Sequence, residues 1–301
     1  MKRAVLVVGI AMLAFGYASV SHAQQQIQWK QVTSLPKGMN LPQGLAIDIL
    51  GIELGDTYAE VKAKLQKLMT EYASPAKPAG NAAANDLMLR SLDQMSGVSD
   101  RPPMNERKTI IRYQAPGGVL TAEFVGQIEL QRELPNGNTK IQELITVRLT
   151  APSSGAQVYE VRRSLSYGKG QQTQIAQFLQ ALKDKMGGAQ AQPVGASGNT
   201  YRYQFDGGRL VAPNPPTPDG HCASWGNPET RSTARGINAS GTCDVSLVTY
   251  FQFGISREHA SSVEFILSDQ ERAKANKETD YVFMEAYVRG LQSQGGATPK
   301  L

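Results

Sequence analysis

The sequence predicts an α+β protein of tandem helix-then-antiparallel-sheet units, with the helices packed on one sheet face. Three observations predict it. The apolar period changes from near four to two at about residue 108, returns to near four at 175 and falls to two again from 201. The two-period runs alternate apolar with polar residues, as an antiparallel sheet with one dry and one wet face requires. Hairpin and helix-stop signals, PNGN at 135–138 and Gly187-Gly188, fall at the boundaries between runs.

Residues 1–23 read as a cleaved export signal. Lys2 and Arg3 precede an apolar run from Ala4 to Ala18, and Ser21-His22-Ala23 places small residues at −3 and −1 of a cleavage point. The run is shorter than the ~20 residues that a membrane-spanning helix needs, so no transmembrane anchoring is expected after cleavage. The expected location is the periplasm. The formal charge is +5, of which Lys2 and Arg3 supply two, leaving +3. That excess is too small and too scattered for counterion release from phosphates, so nucleic acid is not an expected partner.

After an irregular, proline-punctuated lead-in at 24–46, the first unit spans 47–167. It opens with GIELGDTYAEVKAKL at 51–65. Thr57 and Glu60 have capping-box spacing, and Asp56 adds negative charge at the positive helix end. Val61, Leu65, Leu68 and Tyr72 recur at helical spacing, which predicts a helix over 57–72. Ala84, Leu87, Met88, Leu92 and Met95 suggest a second. Leu120, Ala122, Phe124, Ile128 and Leu130 then form one apolar row of a strand, with Gly126 in that row as a bulge or a close approach. Beyond the PNGN turn, Ile141, Ile145, Val147 and Leu149 return, and Tyr159, Val161 and Leu165 follow the turn at PSSG.

The second unit spans 168–292. Ile175, Phe178, Leu179, Leu182 and Met186 make its helix, ended by Gly187-Gly188. Strands follow at Tyr201–Phe205, at Cys243–Phe253 and at Val263–Leu267. Asp269 caps a last helix docking through Tyr281, Met284, Val288 and Leu291, and 293–301 is an expected disordered tail.

Cys222 and Cys243 are the only two cysteines, with 20 residues between them, and in an oxidising compartment they read as one disulfide. A metal site using His221, Asp244 and His259 lacks the paired spacing that zinc sites show, and neither a metal nor a cofactor is expected. No G-x-S-x-G, H-E-x-x-H or G-x-x-x-x-G-K-[ST] motif is present. No catalytic residue is assigned. A hydrolase using His221 or His259 with carboxylates such as Glu258 and Asp269 is the least favoured alternative.

Gly51, Leu54, Gly55, Thr57, Glu60 and Val61 resemble the entry motif G-x-x-L-G-M-[ST]-x-x-[ED]-[VA] of exported SmpA/OmlA-like modules. The helix-then-sheet layout resembles the β-lactamase inhibitor protein-like fold. The resemblance implies a non-enzymatic exported module whose sheet or loops contact other proteins. Another cell-envelope protein is the expected partner, and the candidate contact residues are Trp225 and Arg231 in the loop between the cysteines, with Gln127 and Glu129 on the wet face. The alternative is a small-ligand or lipid-binding protein. An enzyme should unite a histidine with carboxylates in a cleft, a ligand binder should show a cavity, and a protein binder an exposed apolar or aromatic patch.

Overall fold

The structure is a computed structural model and describes residues 29–71, 103–115, 118–136, 139–168, 172–211, 230–232 and 244–294. The expected export signal, the helix around Ala84–Met95, His221, Cys222, Trp225, Cys243 and the tail beyond 294 lie outside these residues. In chain order the elements are β1 (Asp48–Ile49), β2 (Ile52–Glu53), α1 (Tyr58–Glu71), β3 (Met104–Ala115), β4 (Gly118–Asn136), β5 (Thr139–Leu149) and β6 (Val158–Ser166). Then come β7 (Thr173–Gln174), α2 (Ile175–Lys185), β8 (Gln192–Pro193), β9 (Thr200–Asp206), β10 (Arg209–Val211), β11 (Thr230–Ser232), β12 (Val245–Phe253), β13 (His259–Asp269) and α3 (Gln270–Gln294). The protein is a sheet-dominated α+β fold. Among the described residues one sheet has the order β10-β9-β12-β13-β6-β5-β4-β3-β11, with β7 beside β13 and β8 beside β9. Its pairs are antiparallel except β11 with β3. The strands before and after α2 meet at β6 and β13.

The glycine-punctuated entry to α1 is explained by what surrounds it. Thr57 N–H donates to Glu60 Oε2 at 2.7 Å, and Glu60 N–H to Thr57 Oγ1 at 3.4 Å, so the capping box forms. Gly55 adopts φ +89°, and a Cβ there would sit 3.0 Å from Arg272 Nη2 and 3.1 Å from the backbone of Lys37. Only glycine suits both the conformation and the contact. Asp56, fully buried, accepts from Lys37 at 2.8 Å and Lys64 at 2.6 Å. Lys37 also bonds Glu60, and that bond, with those from Thr57, holds the Glu60 carboxyl down at about 2.

The two faces of the sheet differ in a way alternation does not reveal. The β3–β4 register shifts between Arg107 and Lys108, so Gly126 is an extra residue in β4. A one-residue insertion inverts which face every later side chain occupies. Ile128 and Leu130 therefore join Ile145, Val147, Val161, Leu247 and Leu267 beneath α1 and α2. Ala122 and Phe124 join Ile111 and Tyr113 on the other face, where Phe283 and Met284 of α3 cover them. The row expected to be continuous from Leu120 to Leu130 is thus split between two cores, and α3 does not share the face of α1 and α2. A Cβ on Gly126 would lie 1.9 Å from Thr109 Oγ1, so the bulge is also a close approach.

Nor is the polar face wet. Gln127, Glu160, Arg202 and Gln204 are at most 7% exposed. Arg148 and Glu160 pair across β5 and β6 at 3.0 Å, and Arg162 reaches Glu264 at 3.4 Å. These charges are internal partners of one another.

The last helix closes the fold onto its beginning. Asp269 caps it, accepting the Arg272 N–H at 2.8 Å. Arg272, 1% exposed, donates to Asp269, to Gln157 Oε1 and to the carbonyls of Leu35 and Pro36. Asn276 and Asp280 hold the turn at 152–155 through the Ala151 N–H and the Ser153 hydroxyl. Trp29 stacks on Phe283 at 5.1 Å and donates its indole N–H to the carbonyl of Glu123. Residues 29–47 carry no helix or strand, yet Trp29, Leu35 and Pro36 are anchored.

Candidate functional site

Among the described residues a cavity of about 380 Å³ lies between α2, the sheet and the β1–β2 hairpin. Its roof is one stripe of α2. Phe178, Ala181, Leu182 and Lys185 follow i, i+3, i+4, i+7 spacing and so share a helix face. That helix is fixed at its start by the Ile175 N–H bonding the Glu258 carbonyl at 2.9 Å, and by β7 pairing with β13. It ends at Gly187 and Gly188, both with positive φ, where the Gly188 N–H caps the Lys183 carbonyl. The floor is Arg163, Phe265 and Leu247, contributed by β6, β13 and β12.

The wall is Asp48, Ile49 and Leu50, and here the backbone is strained. Ile49 pairs with Ile52, leaving a two-residue turn of Leu50 and Gly51 with φ +55° and +75°. Such turns favour Asn or Gly first, because a side chain in the left-handed region costs ~1–2 kcal/mol. A leucine held there lines the cavity.

Charged groups frame the apolar surface. Lys185 donates to the Asp48 carboxylate at 2.9 Å and to its carbonyl at 2.8 Å, tying α2 to the hairpin. Burial pushes the Asp48 carboxyl up, but the bonds from Lys185 and the Gly51 N–H outweigh it and leave it below the usual range. Deeper in, Glu143 is fully buried and shared by two arginines, Arg132 and Arg163, the latter at 2.6 Å. Burial raises the nearby Tyr167 hydroxyl, which stays neutral.

The sequence-predicted residues fall elsewhere. Gln127 is buried and bonds Glu129 at 2.7 Å, while Glu129 is held by Arg107 at 3.0 Å; this pair is engaged within the sheet. Arg231 lies in β11, opposite Ile111. Trp225, Cys222 and Cys243 are outside the described residues. His259 bonds Ser256 across the β12–β13 turn at 2.9 Å, and Asp269 stands at the other end of the same 11-residue strand, so these two do not converge. Among the described residues no cluster of histidine, cysteine and carboxylates could hold a metal ion, and no helix is long and apolar enough to cross a membrane. The large exposed apolar side chains in the described part include Val32 in the lead-in, Leu210 in β10 and Ile255 in the β12–β13 turn.

Sequence reasoning missed Leu50, Glu143 and Arg163. The last two carried a signal: each occupies the apolar row of its strand, Glu143 beside Ile145 and Arg163 between Val161 and Leu165. A charge in a dry row must be paired or functional.

No family model matches the chain, and no curated protein or solved structure is significantly similar to it.

Proposed function

We propose that this chain is an exported, periplasmic, non-enzymatic binding protein that holds a small, largely apolar ligand between α2 and the sheet. The observation that carries the reading is a cavity of about 380 Å³ whose wall includes a leucine held in a left-handed conformation. Ligand sites occupy about 300–1,000 Å³ and are mostly apolar with a few placed polar groups. Strain of this kind is retained where it serves a site. The roof of α2 and the floor of β6, β12 and β13 form a largely apolar binding surface, with the Lys185–Asp48 pair at its wall and Arg163 in its floor.

The test is native mass spectrometry of the chain purified without detergent, followed by solvent extraction. A stoichiometric small ligand is expected, and Leu182→Trp, which fills the cavity, should abolish its retention while the far-ultraviolet spectrum is unchanged. A ligand that persists in Leu182→Trp would place the site elsewhere.

Contact with another envelope protein is the second reading, favoured by the entry motif at Gly51–Val61. In that reading the strands before and after α2 are tandem helix-then-sheet units joined at β6 and β13. The loop carrying Trp225 and Arg231, tethered by a Cys222–Cys243 disulfide, supplies the contact. In-cell crosslinking from Trp225 tests it: a specific captured envelope protein supports it, and a clean blank removes it.

A further inference from the structure

The way charges are paired around the pocket points to the class of ligand, an inference that rests on the pocket being the binding site. Among the described residues the lining is apolar except for Asp48, Arg163 and Lys185. Each of these three is already bonded to an opposite charge. Lys185 meets the Asp48 carboxylate at 2.9 Å, a pair made within the wall itself. Arg163 turns Nε and Nη2 onto one oxygen of the buried Glu143, both at 2.6 Å. The other oxygen of Glu143 accepts from Arg132, which does not line the cavity and whose Nη1 donates to the Leu68 carbonyl of α1 at 2.8 Å. The cavity therefore faces charges that are closed on one another.

These pairs are held in place by further bonds. Lys185 also donates to the Asp48 carbonyl, and the second oxygen of the Asp48 carboxylate accepts the Gly51 N–H at 2.8 Å. An ionised ligand that took one member of a pair would leave the other member uncompensated. One that left the pairs intact would lose its hydration and gain no counter-charge. An uncharged molecule meets neither cost. We propose that the pocket selects a compact, uncharged apolar ligand and rejects carboxylates and amines of the same shape. The ligand lies between Phe178 and Leu182 of the roof and Leu247 and Phe265 of the floor. Phe178 and Phe265 touch, with ring centroids 6.0 Å apart, so roof and floor converge there and the space beyond is short. That taper, and a volume near the small end of ligand sites, suit a compact frame better than an extended chain.

The experiment is isothermal titration of the purified full chain at neutral pH with adamantanol, adamantanecarboxylate and adamantylammonium. These are one rigid frame with three charges, and rigidity keeps the head group from trailing out into water. Adamantanol is expected to bind about 100-fold more tightly than either ion, because an ion must leave water without a partner. Asp48→Asn frees Lys185 from its counter-charge and keeps an oxygen for the Gly51 N–H, so it should raise the affinity for the carboxylate about tenfold. Lys185→Gln should do the same for the ammonium. The Lys185–Asp48 pair is partly exposed and contributes little to folding, and the ranking on the unmutated chain stands whether or not the variants fold. An ion that binds as tightly as the alcohol would overturn the uncharged assignment and leave the pocket reading intact. Binding of none of the three, or alcohol binding that survives Leu182→Trp, would overturn the pocket reading itself.

Discussion

Replacing Arg272 with methionine tests how the end of the chain is tied to its beginning. Methionine keeps much of the stem but none of the donors. The guanidinium donates through Nε to Asp269 at 3.0 Å, through Nη1 to Gln157 at 2.8 Å and Leu35 at 3.1 Å, and through Nη2 to Pro36 at 2.6 Å. Removing one partner of a buried ion pair costs about 3–5 kcal/mol, because the remaining charge stays buried. Gln157 Oε1 still accepts the Leu35 N–H, and the two carbonyls are only partly buried, so water can reach them and they add little. The expected loss is therefore about 4 kcal/mol at pH 7. It should also depend on pH. Burial already pushes the Asp269 carboxyl up to about 6 against the attraction of Arg272, and without Arg272 it rises further. A carboxyl raised in the folded state contributes stability below its unfolded value of 3.8, and that contribution is lost as pH rises through the folded value. The variant thus loses most at pH 7 and less at pH 5, where its Asp269 is protonated. Urea unfolding at both pH values measures this, and Asp269→Asn in the Arg272→Met background should restore much of the loss. A cost below about 1 kcal/mol, or one equal at pH 5 and 7, would refute the reasoning, since a buried unpaired carboxylate cannot be that cheap.

Other outcomes follow from single positions. Gly126→Ala places a Cβ 1.9 Å from Thr109 Oγ1 and 2.6 Å from Thr109 Cβ, and should lower stability by about 1–3 kcal/mol in urea melts, with Thr109→Gly relieving part of it. Leu50→Asn suits φ +55° better and should raise stability by about 1 kcal/mol while weakening binding of an apolar probe, a trade visible in paired melting and titration experiments. Cys222→Ser with Cys243→Ser should lower stability by about 3 kcal/mol if the two are bridged. An unchanged melting temperature under reducing conditions would remove the bridge.

How much of this was readable beforehand depended on whether the signal was local. The start of α1 was legible because Thr57 and Glu60 are three residues apart and satisfy each other. The end of α2 was legible because Gly187 and Gly188 take the conformation that stops a helix. Faces were harder. Phe124 and Ile128 have the same parity in the sequence, and the extra residue at Gly126 that separates them makes no mark in an alternation count. The burial of Gln127 was hidden for another reason: alternation reports polarity, and polarity matches exposure only where nothing pairs with the side chain. The pocket was the least legible feature. It brings together Leu50, Arg163 and Leu182, which no period connects, and only the charges of Glu143 and Arg163 within apolar rows hinted at it.

The junction of β6 with β13 has a consequence for assembly. Within each half the sheet neighbours are close in sequence, as in the run β3, β4, β5, β6. The central pair is not; Ser164 and Glu264, facing each other there, are 100 positions apart. Until that pair closes, each half presents an open edge, and the same edge is available on every other copy of the chain. Concentrated refolding should therefore yield dimers in which β13 of one copy completes β6 of another, and size-exclusion chromatography across protein concentrations would show them. Dilute refolding should give the monomer, because the partner strand tethered to the same chain is then the nearest one.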